Sequence, residues 1–320
     1  MIRSFAPACC LALAVAAAAG ADDGIPPETV AAVKKATVLV RCSGPTWKGT
    51  GSGFVVAADK GTVLVATNHH VVAGPDFEKQ GRLSPALLAR ALKDVAVTVV
   101  FDPGTPAELV VKAVPVAADP VNDLAVLRVT GLKDAPAPIP YADPPKLYET
   151  MPVYTFGFPF GDALSTSKGA PAVTVGKASV SSLRRDPDGE LSVVQIDGAL
   201  NPGNSGGPVV DAKGRLAGGA VATIRNGQGI GFAVPAHELA RAMAGRVGGA
   251  HPTATRADGK TTVRVEVGLI DPTAAVRGVA LHSVVVPPGG AKPDPKLPLA
   301  KHPGRRRSSC GSRPGSPSAT

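Results

Sequence analysis

The residues best suited to chemistry surround Ser205, in the run Gly203-Asn204-Ser205-Gly206-Gly207. A nucleophile elbow of the α/β-hydrolase type needs a helix directly after its serine, and two glycines and Pro208 oppose a helix there. Glycines instead let the main chain turn sharply and let a carbonyl approach backbone N–H groups. The run therefore predicts a nucleophilic serine beside an oxyanion hole made by the N–H groups of Gly203 and Ser205.

A serine hydroxyl needs a base to take its proton, and the base needs an acceptor that orients it. Of the six histidines, only His69 and His70 lie in the first half of the chain, at the end of a strand-like run. Asp123 begins another apolar run in that half, where a partly buried carboxylate could hold an imidazole in one tautomer. The order His, Asp, Ser matches the chymotrypsin triad and differs from the subtilisin order.

The chain resembles the trypsin-like serine proteases of the HtrA (DegP/DegQ-like) group in four stretches that follow one another in order. They are GTGSGF at 49–54, TNHHVV at 67–72, DPVNDLAVLRV at 119–129 and IDGALNPGNSGGPVVD at 196–211. The resemblance covers residues 28–240, and four ordered motifs are far more specific than one. It implies a serine endopeptidase that uses no cofactor and no metal and acts on polypeptides, such as misfolded envelope proteins.

The resemblance also implies an all-β fold of two Greek-key six-stranded β-barrels with short terminal helices. It places the catalytic residues at His70 and Asp123 in the first barrel and at Ser205 in the second, and it gives His69 no catalytic role. A catalytically silent scaffold of the same fold, which binds extended peptides by β-strand addition, stays open as the alternative.

In this fold the residue six positions before the nucleophile forms the base of the P1 pocket, which implies Ala199 here. Val221 and Ile230 are the expected wall residues. Because no acid stands at the base, a buried Arg or Lys side chain would lack a partner. We therefore expect cleavage after small or medium apolar residues.

The elements that must position these residues are short strands, because runs rich in β-branched residues recur between glycine and charged turns. Two sets of strands on either side of a proline-rich stretch indicate two barrels. Leu87, Leu88, Ala91 and Leu92 recur at helical spacing and predict an inserted helix. The predicted divisions are a signal peptide at 1–21, a first barrel at 28–135 with a helical insertion at 76–94, a linker at 136–147, a second barrel with a closing helix at 148–245, a small β segment of unknown role at 246–290, and a basic, disordered tail rich in Pro, Ser and Gly at 291–320. Within the small β segment, residues 261–286 predict a strand pair around an Asp271-Pro272 turn, which we expect to pack on the second barrel.

With 44% hydrophobic and 18% charged residues, the chain has the composition of a folded globular protein. Residues 1–21 combine Arg3, an apolar run too short for a membrane span and small residues before Asp22, which is typical of a cleaved signal peptide. We therefore expect a periplasmic or secreted protein without a stable membrane anchor. The four cysteines show neither a disulfide framework nor metal-site spacing.

The net charge of +9 is unevenly placed, since residues 291–320 carry seven basic residues against Asp294. This tail is rich in Pro, Ser and Gly and has no aromatic residue to stack on a base. Disorder is therefore favoured over nucleic-acid binding, which would need an affinity that falls steeply with salt.

Three features depart from the HtrA pattern. The helical insertion at 76–94 is unusual, no PDZ domain is expected after residue 245, and the activation-loop region at 162–172 is short. The sequence therefore leaves the oligomeric state and the regulation of activity open.

Overall fold

The computed structural model describes residues 24–76, 83–165, 169–198, 200–221, 229–286, 289 and 306–309. The predicted signal peptide at 1–21 and most of the predicted tail lie outside these residues. Among the helices of the described part, none combines the length and the apolar character needed to cross a membrane.

The first barrel is built from six antiparallel strands in the closed order β1-β2-β3-β6-β5-β4. Inward-facing side chains such as Val38, Val65 and Leu127 are fully buried, so the β-branched runs of the sequence fill the barrel interior. The strands are β1 Thr37–Ser43, β2 Lys48–Asp59, β3 Thr62–Thr67, β4 Ala96–Phe101, β5 Leu109–Asp119 and β6 Leu124–Thr130.

The second barrel repeats this connectivity with its own six strands, in the closed order β10-β11-β12-β9-β8-β7. Val153, Ile196 and Val209 form part of its separate buried core. The strands are β7 Pro152–Gly157, β8 Thr174–Arg185, β9 Leu191–Ile196, β10 Pro208–Val210, β11 Leu216–Val221 and β12 Gly231–Pro235. Two closed six-stranded antiparallel barrels confirm the predicted all-β fold class.

Within the described residues, four short α-helices accompany the barrels: α1 Pro27–Ala36, α2 His69–Ala73, α3 Pro85–Lys93 and α4 Ala236–Ala244. Helix α3 lies between β3 and β4 and begins with proline, whose missing N–H costs nothing in the first turn. Helix α4 follows β12 directly and buries Leu239 and Met243.

A hairpin follows the second barrel, made of β13 Arg246–Ala257 and β14 Lys260–Ile270. Asp258 and Gly259 connect the strands, both with positive φ, as a tight two-residue turn requires. Strand β14 contacts α3 and β5, and Ile270 is buried in the large core cluster that contains the first-barrel interior and the buried face of α4. The predicted strand pair at 261–286 on the second barrel was therefore wrong, because Lys260–Ile270 pairs with β13 and contacts α3 and β5 of the first barrel.

Part of the predicted low-complexity tail is ordered as a strand. Strand β16, Arg306–Ser309, pairs with β15, Ala280–Ser283. Composition predicts no strand here, so the predicted disorder of the whole tail was wrong for these four residues.

Candidate active site

His70 lies in the first turn of α2, immediately after strand β3 ends at Thr67. Val71, Val72 and Ala73 of the same short helix are buried, which anchors the helix to the barrel. The side chain of His70 is 24% exposed, so the imidazole is accessible while its backbone is held by the core.

Asp123 lies in the turn before β6 and contacts His70 twice. Its Oδ2 lies 2.7 Å from the His70 Nδ1, and its Oδ1 accepts the His70 backbone N–H at 2.9 Å. Asn68 Nδ2 donates to the carbonyl of Asp123 at 2.9 Å. A carboxylate that accepts from Nδ1–H leaves Nε2 as the ring nitrogen that can take a proton, which is the arrangement of a catalytic base.

Ser205 is 5% exposed and belongs to a loop that contacts the first barrel. Its carbonyl accepts the backbone N–H of Ser52 at 2.8 Å. Gly206 has a φ of +85°, and a Cβ on it would lie 2.2 Å from the carbonyl oxygen of Ser52 and 2.3 Å from Thr67 Oγ1. Only glycine fits there, because the serine loop lies directly against the end of the strand that precedes His70.

The oxyanion-hole candidate Gly203 has a φ of +99° and a carbonyl that accepts the Ser52 hydroxyl at 2.6 Å. The preceding carbonyl, of Pro202, accepts the backbone N–H of Phe160 at 2.6 Å. Because the C=O and N–H of a trans peptide point in opposite directions, this bond turns the Gly203 N–H away from Phe160. A fixed N–H of this kind can stabilise developing negative charge without reorganisation.

Ser52 is a functional candidate that sequence reasoning missed. Its hydroxyl donates to the Gly203 carbonyl and accepts the Phe158 N–H at 3.0 Å, so one buried group of the first barrel holds two segments of the second. The signal was present in the GTGSGF run, where the only polar side chain among the glycines after Thr50 is Ser52.

The predicted activation-loop region is attached to the first barrel at both ends, although residues 166–168 lie outside the described part. Arg41 donates to both carboxylate oxygens of Asp162, at 3.1 and 2.7 Å, and this pairing raises the pKa of Arg41. Glu108 accepts the Ala170 N–H at 2.9 Å. Neither contact was predictable from residue types or spacing, because each joins residues far apart in the chain.

The three P1-pocket candidates are only partly described. Ala199 lies outside the described residues. Val221 ends β11 and pairs with Phe232, which places it at the same end of the second barrel as Ile230, whose side chain is 40% exposed. The structure therefore brings two of the three predicted residues to one end of the barrel.

His69 differs sharply from its neighbour. Its side chain is fully buried, and neither ring nitrogen has a hydrogen-bond partner among the described groups. Burial lowers the pKa of His69 to about 4, partly opposed by the charge of Asp123. This imidazole is neutral at physiological pH and packs as a core residue.

Sequence comparison finds similarity to several bacterial serine proteases. The chain is 30% identical to the serine protease Do-like HtrA of Bacillus subtilis, in an alignment that covers 61% of this chain and 38% of that protein. It is 29% identical to the serine protease PepD of Mycobacterium tuberculosis over 60% of its length, covering 39% of that protein. The crystal structure of Deg5 matches with a TM-score of 0.49 and 24% identity, covering 67% of this chain and 89% of that one.

The chain thus spans about two-fifths of the length of these curated relatives. The family model of the trypsin-like peptidase domain matches residues 51–218, which include the His70–Asp123 pair and the Ser205 loop. This match covers more than half of the chain, and the chain belongs to the trypsin-like peptidase family.

Proposed function

We propose that the protein is a serine endopeptidase. Ser205 Oγ attacks the peptide carbonyl while His70 Nε2 takes the hydroxyl proton; the same proton then goes to the leaving amine as the C–N bond breaks. Water hydrolyses the acyl-enzyme with His70 again as base, and Asp123 keeps the ring in the required tautomer. The N–H groups of Gly203 and Ser205 stabilise the oxyanion.

The observation that carries this proposal is the double contact of the Asp123 carboxylate with the His70 N–H and Nδ1. A structural histidine needs only one hydrogen-bond partner for its ring. Asp123 holds both the backbone and the ring of His70, and this sets the direction in which His70 Nε2 points. Gly206 also lies close to Thr67, so the serine loop lies beside the strand end that precedes His70.

A fluorophosphonate probe tests the proposal, since it reacts only with an activated serine. We expect labelling and cleavage of an unfolded protein by the wild type, and loss of both in Ser205→Ala. Ser181→Ala, an exposed serine on β8, is the matched control and should keep full labelling. Peptide binding without labelling would favour the catalytically silent scaffold instead.

Asp123→Asn tests the role of the acid separately. An asparagine keeps the shape but stabilises the wrong tautomer of His70, so we expect kcat to fall by about 10⁴. A loss of less than about tenfold would remove Asp123 from the mechanism.

The proposed substrates are unfolded polypeptides with a small or medium apolar P1 residue. Val221 and Ile230 present aliphatic side chains at one end of the second barrel, and Ala199 supplies no charge to pair with Arg or Lys. A peptide-library profile dominated by Arg and Lys at P1 would contradict this specificity and leave the Ser205 mechanism untouched.

We further propose that the enzyme is exported after cleavage of residues 1–21. The apolar run and the small residues before Asp22 support this step. Amino-terminal sequencing of the protein recovered outside the cytoplasm should begin at Asp22, and a protein retained with Met1 would contradict it.

A further inference from the structure

The first residue of the β13–β14 hairpin reaches a buried carboxylate of the first barrel. Arg246 Nη2 donates to Oδ2 of Asp119, whose side chain is only 2% exposed. Arg246 Nε is itself buried and has no partner among the described groups. The guanidinium and the carboxylate therefore depend on each other for charge compensation, although Arg246 lies outside the residues matched by the family model.

Asp119 in turn closes the turn that carries the candidate catalytic acid. Its Oδ1 accepts the Asn122 backbone N–H at 3.2 Å, and its Oδ2 accepts Asn122 Nδ2 at 2.9 Å. The next residue, Asp123, has a φ of +50°, a left-handed conformation that a non-glycine residue keeps only when its surroundings impose it. The Asp119 carboxylate is thus one of the groups that hold Asp123 in this conformation.

Helix α4 meets the same turn from the other side. Glu238 Oε2 accepts Asn122 Nδ2 at 3.2 Å, and Glu238 Oε1 pairs with Arg241 Nη1 at 2.9 Å. Two carboxylates, of Asp119 and Glu238, therefore converge on one amide. Arg246 supplies the positive charge on the Asp119 side of that amide.

Removing Arg246 would leave the Asp119 carboxylate buried without a cation. Such a group moves toward water or takes up a proton, and either change weakens its bonds to Asn122. The turn would then relax toward the ordinary right-handed or extended backbone, which shifts the Asp123 carboxylate relative to His70 Nδ1.

We propose that Arg246 is a positioning residue for catalysis, acting through Asp119 and Asn122 on Asp123. The inference rests on the proposed peptidase function and extends it, because it makes the hairpin beyond the second barrel part of the active-site support. Arg246 itself touches no substrate in this scheme.

The test measures KM and kcat per active site, with active sites counted by stoichiometric fluorophosphonate labelling. Arg246→Ala should lower kcat per titrated site about ten- to a hundredfold, with KM for a small peptide substrate unchanged within about twofold, since small displacements of catalytic groups have effects of this size. Arg246→Lys, which keeps the charge, should recover most of the rate. Arg256→Ala is the matched control, because Arg256 is an exposed arginine on the same strand.

A double-mutant cycle identifies the route. In Asp119→Asn, which has no carboxylate to compensate, adding Arg246→Ala should change kcat by less than about threefold. This double variant also removes the buried unpaired charge, so it stays informative where Arg246→Ala alone fails to fold. Equal losses in both backgrounds would overturn the proposed route through Asp119.

The outcomes separate this inference from the proposed function. If Arg246→Ala has fewer folded molecules but keeps the wild-type kcat per titrated site, Arg246 has only a structural role. That result would overturn the inference and leave the proposed peptidase function unaffected. A wild type that neither labels nor cleaves would overturn the proposed function itself.

Discussion

The buried His69 should make the protein unusually sensitive to acid. Its pKa is lowered from 6.5 to about 4 by burial in the folded state, whereas the unfolded chain keeps the ordinary value. Above pH 6.5 both states are neutral at this residue and it contributes no pH dependence. As the pH falls from 6.5 toward 4, the unfolded state takes up a proton that the folded state does not bind. At about 1.4 kcal/mol per pH unit, the folded state loses about 3 kcal/mol by pH 4.

The perturbation is His69→Met, which has similar volume and does not titrate. Chemical unfolding would be followed by the fluorescence of Trp47, the only tryptophan, at several pH values between 7.5 and 4. We expect the unfolding free energy of the wild type to fall by about 3 kcal/mol more than that of the variant over this range, with about half of the difference present by pH 5.5. The contributions of the other titrating groups cancel in this difference, because both proteins contain those groups. Parallel curves would refute the reasoning, as would ring-nitrogen NMR showing His69 protonated in the folded protein at pH 6.

Three further predictions concern groups that hold the site together. Gly206→Ala should destabilise the protein by at least about 3 kcal/mol in thermal unfolding and abolish active-site labelling, because its Cβ would lie 2.2 Å from the Ser52 carbonyl at a positive φ; a stable, active variant would contradict this. Ser52→Ala should cost about 1–3 kcal/mol in chemical unfolding and lower kcat, because the Gly203 carbonyl and the Phe158 N–H lose their shared partner; unchanged kcat would mean that the oxyanion loop is held by other contacts. Cys42, whose pKa burial raises to about 12, should resist thiol reagents at pH 8 in a chain whose other cysteines are replaced, and it should react quickly once the protein is unfolded; rapid reaction of the native protein would show that the thiol is accessible.

The fold class was predictable because its information is local. Strands such as Thr62–Thr67 are rich in β-branched residues, and the glycines around Ser205 fit only a loop that approaches other backbone closely. The His70–Asp123 pair was also within reach, because each residue sits at a strand end of one barrel and such ends converge. These features depend on residue type and short spacing.

The contacts that complete the site were not predictable in the same way. Ser52 bonds to Gly203 across 151 residues, and Arg246 pairs with Asp119 across 127. No periodicity encodes such pairs, because they form only after both barrels have closed. The hairpin was assigned to the wrong barrel for the same reason, since its packing depends on where the inserted helix Pro85–Lys93 lies.

Three energetically costly features of this protein lie around the candidate active site. Asp123 and Phe160 both have positive φ, and His69 is a buried ring without a partner among the described groups. Each disfavours folding, and two of them have a compensating hydrogen bond: Asn68 Nδ2 donates to the Asp123 carbonyl, and the Pro202 carbonyl accepts the Phe160 N–H. Elsewhere, the positive φ of Lys60 and of Asp258 belongs to tight turns between adjacent strands, where the turn itself explains it. Strain supported from both barrels is the expected result when a carboxylate, an imidazole and a backbone N–H must be fixed before substrate arrives, because groups that move on binding would lose the advantage of preorganisation.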